Sequence, residues 1–111
     1  MFALKLSRAA GARVIISSSS DDKLDLIKKR YPKTLTVNYR KPDWDEEVLK
    51  ITDGVGVDYV VENGGTPSLV KSMRCTRRGG TVSQVGYLGK QDASQLQELI
   101  PTIIDRRIVL R

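Results

Sequence analysis

The chain has 111 residues, 40% of them hydrophobic, with 19 basic against 13 acidic side chains for a net charge of +6. That length supplies one core, and so one domain or part of a larger one, since domains commonly run to roughly 100–150 residues. Histidine is absent and Cys75 is the single cysteine, which excludes a Ser-His or Cys-His nucleophile pair, an imidazole metal ligand, an internal disulfide and a thiolate zinc cage.

The segment FALKLSRAA places Phe2, Leu6, Ala9 and Ala10 on one face of a helix over residues 2–10, and Gly11 stands where a helix C-terminus is commonly closed. Residues 13–17 read as a strand built on Val14, Ile15 and Ile16, followed by a crest of serines. Ser19 or Ser20, with Asp21 and Asp22 behind it, is the N-cap and acidic first turn of a helix over Asp21–Arg30 that turns Leu24 and Ile27 inward. Tyr31-Pro32-Lys33 ends that helix. Leu35–Asn38 is a short strand, and Lys41-Pro42-Asp43 leads into a helix opened by a capping-box pattern with Asp43 as the cap. Trp44, Val48 and Ile51 share its inner face.

Asp53-Gly54-Val55-Gly56 breaks the helix, and Val57–Glu62 is the clearest strand in the chain, crested by Asn63, Gly64 and Gly65. Thr66 as N-cap and Pro67 at the first helical position start a helix with Leu69, Val70 and Met73 inward, closed by Arg77-Arg78-Gly79-Gly80. Residues 81–85 form the next strand, crested by Gly86, Tyr87, Leu88 and Gly89. A last helical stretch lies within residues 93–105, interrupted or restarted at Pro101, and Ile108, Val109 and Leu110 begin a strand.

This order, a helix followed by alternating strands and helices, predicts an α/β fold: a parallel sheet with right-handed crossovers and helices on both faces. Each readable strand ends in small or polar residues, and those crests fall on one edge of the sheet, where open α/β sheets take their ligands. The basic pairs Arg40-Lys41, Arg77-Arg78 and Arg106-Arg107 lie at or beyond element ends. They read as solvated helix ends and loops, and no specific nucleic-acid partner is expected. No run approaches the ~18 apolar residues of a membrane span, so no membrane partner is expected either. The acid-free N-terminal stretch with Lys5, Arg8 and Arg13 shares its composition with mitochondrial presequences, but its apolar run is better explained as a strand. A cytoplasmic location is the expectation, compatible with a single cysteine.

Taken in succession, MFALKLSRAAGARVIISSSSDDK, VNYR, PDWDEEVLKIT, GVGVDYVVENGG and RRGGTVSQVGYLG resemble the cofactor-binding domain of the medium-chain dehydrogenase/reductase superfamily, which includes zinc-type alcohol dehydrogenases and quinone oxidoreductases. The zinc-independent, quinone oxidoreductase-like branch is the best match. The resemblance implies a Rossmann fold and membership of two-domain oxidoreductases that pass hydride between a nicotinamide cofactor and a carbonyl, alcohol or enone. It places Ser18, with Ser19 beside it, where NAD users carry an acid for the adenosine ribose. Without that carboxylate, repulsion toward a ribose 2′-phosphate is removed. Lys23 and Tyr39 match residues on the adenosine side, Asn63 and Gly64 the crest beside the nicotinamide ribose, and Gly86 and Tyr87 the crest nearer the ring. The resemblance thus implies NADP before NAD, and no zinc.

The family's first strand and glycine-rich turn precede the helix that here begins at Phe2. Residues 1–111 are therefore expected to be a partial Rossmann domain without its catalytic domain, with strands 2 to 6 of the usual order and no central strand. Strand 13–17 and strand 57–62 should then either pair directly or leave a strand-wide gap, with no sixth strand between them. No residue of the chain is named catalytic, since the groups that handle substrate come largely from the other domain. Expected partners are the cofactor, a small carbonyl or alcohol in the full-length relative, and a second copy pairing through Ile108 to Leu110. The alternative is a non-catalytic remnant or interaction module with a Rossmann-like fold.

Overall fold

The computed structural model describes residues 2–86 and 91–111, which form two compact units, Met1–Glu47 and Val48–Arg111. In the first unit, helix α1 (Phe2–Ala9) closes as the sequence predicts. Gly11, at φ +82°, donates its N–H to the Arg8 carbonyl, and Ala12 donates to the Ser7 carbonyl, both at 3.0 Å, the paired bonds of a Schellman closure. The predicted apolar face does not turn inward. Leu4 is buried, whereas Phe2 and Leu6 are 76% and 56% exposed. One turn beyond Leu4, the Arg8 guanidinium lies over the Tyr31 ring at 4.9 Å and donates to Thr34 Oγ1 at 3.3 Å, so the inward stripe is Leu4 and the Arg8 stem.

Strand β1 (Ile15–Ser18) pairs in parallel with β2 (Leu35–Asn38), in register from Ile15 against Leu35 to Ser18 against Asn38. Helix α2 (Asp21–Arg30) packs on both strands and buries Leu24 against the unit that also buries Val37. Ser20 is its N-cap, its hydroxyl accepting from the Lys23 N–H at 3.4 Å. Two acids in the first turn and three bases in the last complement the helix dipole. Helix α3 (Trp44–Ile51) follows, with Trp44 and Val48 buried as expected.

The second unit contains β3 (Val57–Glu62), α4 (Thr66–Arg74), β4 (Thr76–Gln84), a 3-10 turn (Ala93–Leu96), α5 (Leu99–Arg106) and β5 (Val109–Leu110). Its sheet runs β3-β4-β5, all parallel. Leu69, Val70 and Met73 of α4 pack with Val82 and Ile108, and Val60, Leu99 and Ile103 close over them. On the opposite side of β3, Tyr59 and Val61 remain exposed.

Two expectations are corrected here. Thr66 is not the N-cap but the first helical residue; Gly65 caps α4 without a side chain, and the Thr66 N–H is taken up by Gln91 Oε1 at 2.9 Å. Residues 77–80 do not close α4 either. The strand already begins at Thr76, and the register passes from Val57 against Thr76 to Tyr59 against Thr81, so Asp58 faces the whole of residues 77–80. The basic pair and glycines that resemble a helix stop are absorbed as a bulge, clasped by Arg77 Nε to Asp58 Oδ1 at 2.6 Å. Local sequence cannot separate the two outcomes, because both call for a sharp turn.

The strands thus fall into two parallel sheets flanked by helices, β1-β2 and β3-β4-β5. β1 and β3 are not paired, and the described residues contain no sixth strand. This is the expected α/β fold class, with parallel strands and flanking helices.

Candidate functional site

The residues singled out from sequence gather at the carboxyl ends of the strands, in one group per unit. In the first unit, Ser18 ends β1, and its hydroxyl accepts from the Ser20 N–H at 3.2 Å. Tyr39 follows β2 and donates its backbone N–H to the Ser18 carbonyl at 3.1 Å, which draws the two crests together. Asn38 ties this end down. Its Nδ2 donates to Asp21 Oδ1 at 2.9 Å, while its Oδ1 accepts from the Arg40 N–H at 2.9 Å. Ser19 is half-buried on the same crest. Lys23 is exposed in the first turn of α2, and Tyr39 is half exposed. Among the described residues, neither the Lys23 ammonium nor the Tyr39 hydroxyl has a hydrogen-bond or ion-pair partner.

In the second unit, Asn63 and Gly64 leave β3 and lead into α4. Gly86 follows β4, and a side chain on it would come within 3.8 Å of the Asn63 carbonyl and amide oxygens, so the two crests adjoin. The Val85 N–H donates to the Glu62 carbonyl at 2.8 Å, and Gln84 Nε2 reaches both the Glu62 and the Gly86 carbonyls. Tyr87 lies outside the described residues.

The structure adds a group that the sequence reading passed over. Glu62 is 5% exposed, and its Oε1 accepts from the Gly64 N–H at 2.7 Å and from Ser68 Oγ at 2.6 Å. Its Oε2 accepts from Ser72 Oγ. A signal was present: Glu62 shares the alternating face of Val60, which packs on the core, and Ser68 and Ser72 lie one turn apart on the next helix. A carboxylate on a core face needs such donors, because an unpaired buried charge is costly.

Among the described residues, no three His, Cys, Asp or Glu side chains come together in a way that could hold a metal ion. No helix among the described residues is long and apolar enough to cross a membrane.

The zinc-binding dehydrogenase family matches residues 1–110 of the chain. A zinc-type alcohol dehydrogenase-like protein of Schizosaccharomyces pombe is 39% identical over 112 aligned residues, covering 99% of this chain and 32% of that protein. An NADP-dependent isopropanol dehydrogenase of Entamoeba histolytica is 37% identical over 67 residues, covering 60% of this chain and 18% of its own length. The crystal structure of an NAD-dependent alcohol dehydrogenase superposes with a TM-score of 0.83 at 30% identity, covering 97% of this chain and 30% of the other. The chain thus spans about a third of the length of the S. pombe relative and of the crystallised dehydrogenase. It belongs to the zinc-binding dehydrogenase family, and its fold is that of the cofactor-binding domain of the medium-chain dehydrogenase/reductase superfamily.

Proposed function

We propose that the chain is the cofactor-binding portion of an oxidoreductase that passes hydride between a nicotinamide cofactor and a small carbonyl or alcohol, and that it takes NADP in preference to NAD. The observation that carries this reading is Ser18: the end of β1 presents a hydroxyl and no carboxylate. The neighbouring Asp21 carboxylate is occupied by Asn38 Nδ2. A ribose 2′-phosphate placed there meets a hydroxyl, the Lys23 ammonium and the Tyr39 hydroxyl, donors suited to an anion. Ser19 completes that crest. In the second unit, Asn63, Gly64 and Gly86 offer backbone to the nicotinamide half. The bound cofactor supplies the hydride chemistry, and this chain's residues supply binding and orientation.

Calorimetric titration of the protein with NADPH and NADH tests the reading. NADPH is expected to bind about tenfold tighter or more, and Ser18→Asp to invert that order. Equal affinities would remove the NADP preference. Absence of binding by either nucleotide would favour a non-catalytic module.

A second copy is a further proposed partner. β5 lies at one end of the β3-β4-β5 order, with Val109 and Leu110 exposed, and an open strand edge can pair with another chain. Sedimentation of the protein and of Leu110→Pro, which removes a backbone N–H on the side away from β4, checks this, a monomer in both cases opposing it.

A further inference from the structure

We propose that Glu62 is a positioning residue for the nicotinamide-ribose half of the cofactor, acting through the Asn63–Gly64 peptide. The inference rests on the cofactor reading above and adds to it a residue that does not itself touch the ligand.

The Gly64 N–H points inward to Glu62 Oε1 at 2.7 Å. No peptide bond described is cis, and a trans peptide sets its carbonyl opposite its N–H, so the Asn63 carbonyl is turned outward. The residue that would reach back to that carbonyl from the first turn of α4 is Pro67, which has no N–H to give. Among the described residues the Asn63 carbonyl has no donor. The crest therefore holds out one backbone acceptor in a fixed direction, and a ribose hydroxyl is a donor that suits it.

Glu62 can hold this geometry because it is itself held. Ser68 and Ser72, both on α4, donate to its two carboxylate oxygens. Its backbone carbonyl is bound by Val85 from the adjacent strand end. A side chain on Gly64 would come within 3.1 Å of Glu62 Oε1, so the approach has no room to spare. The peptide orientation is thus set by a buried carboxylate and not by the loop alone, and withdrawing that oxygen frees the peptide to rotate.

The test separates the two halves of the cofactor. Binding of NADPH and of adenosine 2′,5′-bisphosphate, which lacks the nicotinamide ribose, is measured by calorimetry on the wild type, Glu62→Ala and Glu62→Asp. Asp keeps the charge but withdraws the oxygen from Gly64, so it reads the effect should the alanine variant not fold. NADPH affinity is expected to fall about tenfold in both variants, the loss of roughly one hydrogen bond, while the bisphosphate stays within about twofold. Glu62→Gln, which keeps an oxygen for Gly64, is expected to restore NADPH binding to within about threefold of wild type. Unchanged NADPH affinity in Glu62→Asp, or a parallel loss of both ligands, overturns the proposal. Failure of the wild type to bind either ligand overturns instead the cofactor reading on which it rests.

Discussion

The guanidinium of Arg106, at the end of α5, donates twice to the backbone carbonyl of Thr76 at the start of β4, through Nε at 3.0 Å and Nη2 at 2.5 Å. Thr76 is fully buried and stands where the β3-β4 register shifts. The fork therefore satisfies a carbonyl beside the bulge while fastening α5 to the sheet. Arg106→Ala is expected to cost about 1–3 kcal/mol by leaving that acceptor buried and unpaired. Arg106→Lys should recover only part of the loss, because an ammonium cannot reproduce the planar fork. Urea denaturation of the three proteins measures both effects, and equal midpoints for wild type and Arg106→Ala would contradict them.

Two glycines with positive φ should respond differently to alanine. Gly11, at φ +82°, has no atom within 4 Å of where a Cβ would stand, so Gly11→Ala is expected to cost only the backbone penalty of about 1–2 kcal/mol. Gly56, at φ +98°, would place its Cβ 2.6 Å from the Arg77 nitrogen and 2.8 Å from the Cys75 carbonyl oxygen. Backbone cannot swing aside as a side chain can. Gly56→Ala is expected to lose at least ~3 kcal/mol, and circular-dichroism melts should show it much less stable than Gly11→Ala.

Arg107 closes α5 in the left-handed region, at φ 52° and ψ 44°, with Ile108 donating to the Ile103 carbonyl at 3.2 Å. A side chain there costs about 1 kcal/mol that glycine does not incur. Arg107→Gly should therefore raise the urea midpoint with an unchanged slope, by roughly 1 kcal/mol at most once the added freedom of the unfolded chain is set against it. Arg107→Ala, which keeps the Cβ, should not stabilise.

Asp92 caps the 3-10 turn Ala93–Leu96, its Oδ1 accepting from Ser94 Oγ at 2.8 Å and from the Ser94 N–H at 3.0 Å. The side-chain bond first, and the backbone bond second, hold the carboxyl below its ordinary value. A depressed folded value means that the unfolded chain binds the proton more readily. The contribution of Asp92 is then fully present above the unfolded aspartate's value and is lost as pH falls through the lower folded one. An NMR titration should place the Asp92 carboxyl below that of a free aspartate, and Asp92→Asn should remove the corresponding step from the acid limb of stability against pH.

The parts of the fold legible in the sequence are those whose causes lie within a few residues. Asp21–Arg30, Leu35–Asn38 and Val57–Glu62 begin and end where the caps, breakers and apolar runs place them. The Ser20 cap and the Gly11 closure follow from one hydroxyl and one missing Cβ. The strand ends named as crests were legible too: Ser18 ends β1, Asn38 ends β2 and Asn63 follows β3. The inward stripe of α1, the bulge over residues 77–80 and the Glu62 network were not. The first two depend on partners distant in the chain, Thr34 lying 26 residues from Arg8 and Asp58 19 from Arg77. The Glu62 donors Ser68 and Ser72 lie only 6 and 10 residues on, and become partners only once α4 folds back on β3. Local composition determined which elements exist and where the strands end. Tertiary structure alone decided which polar groups are taken out of water, since a buried carboxylate or carbonyl is stable only where folding brings a donor to it.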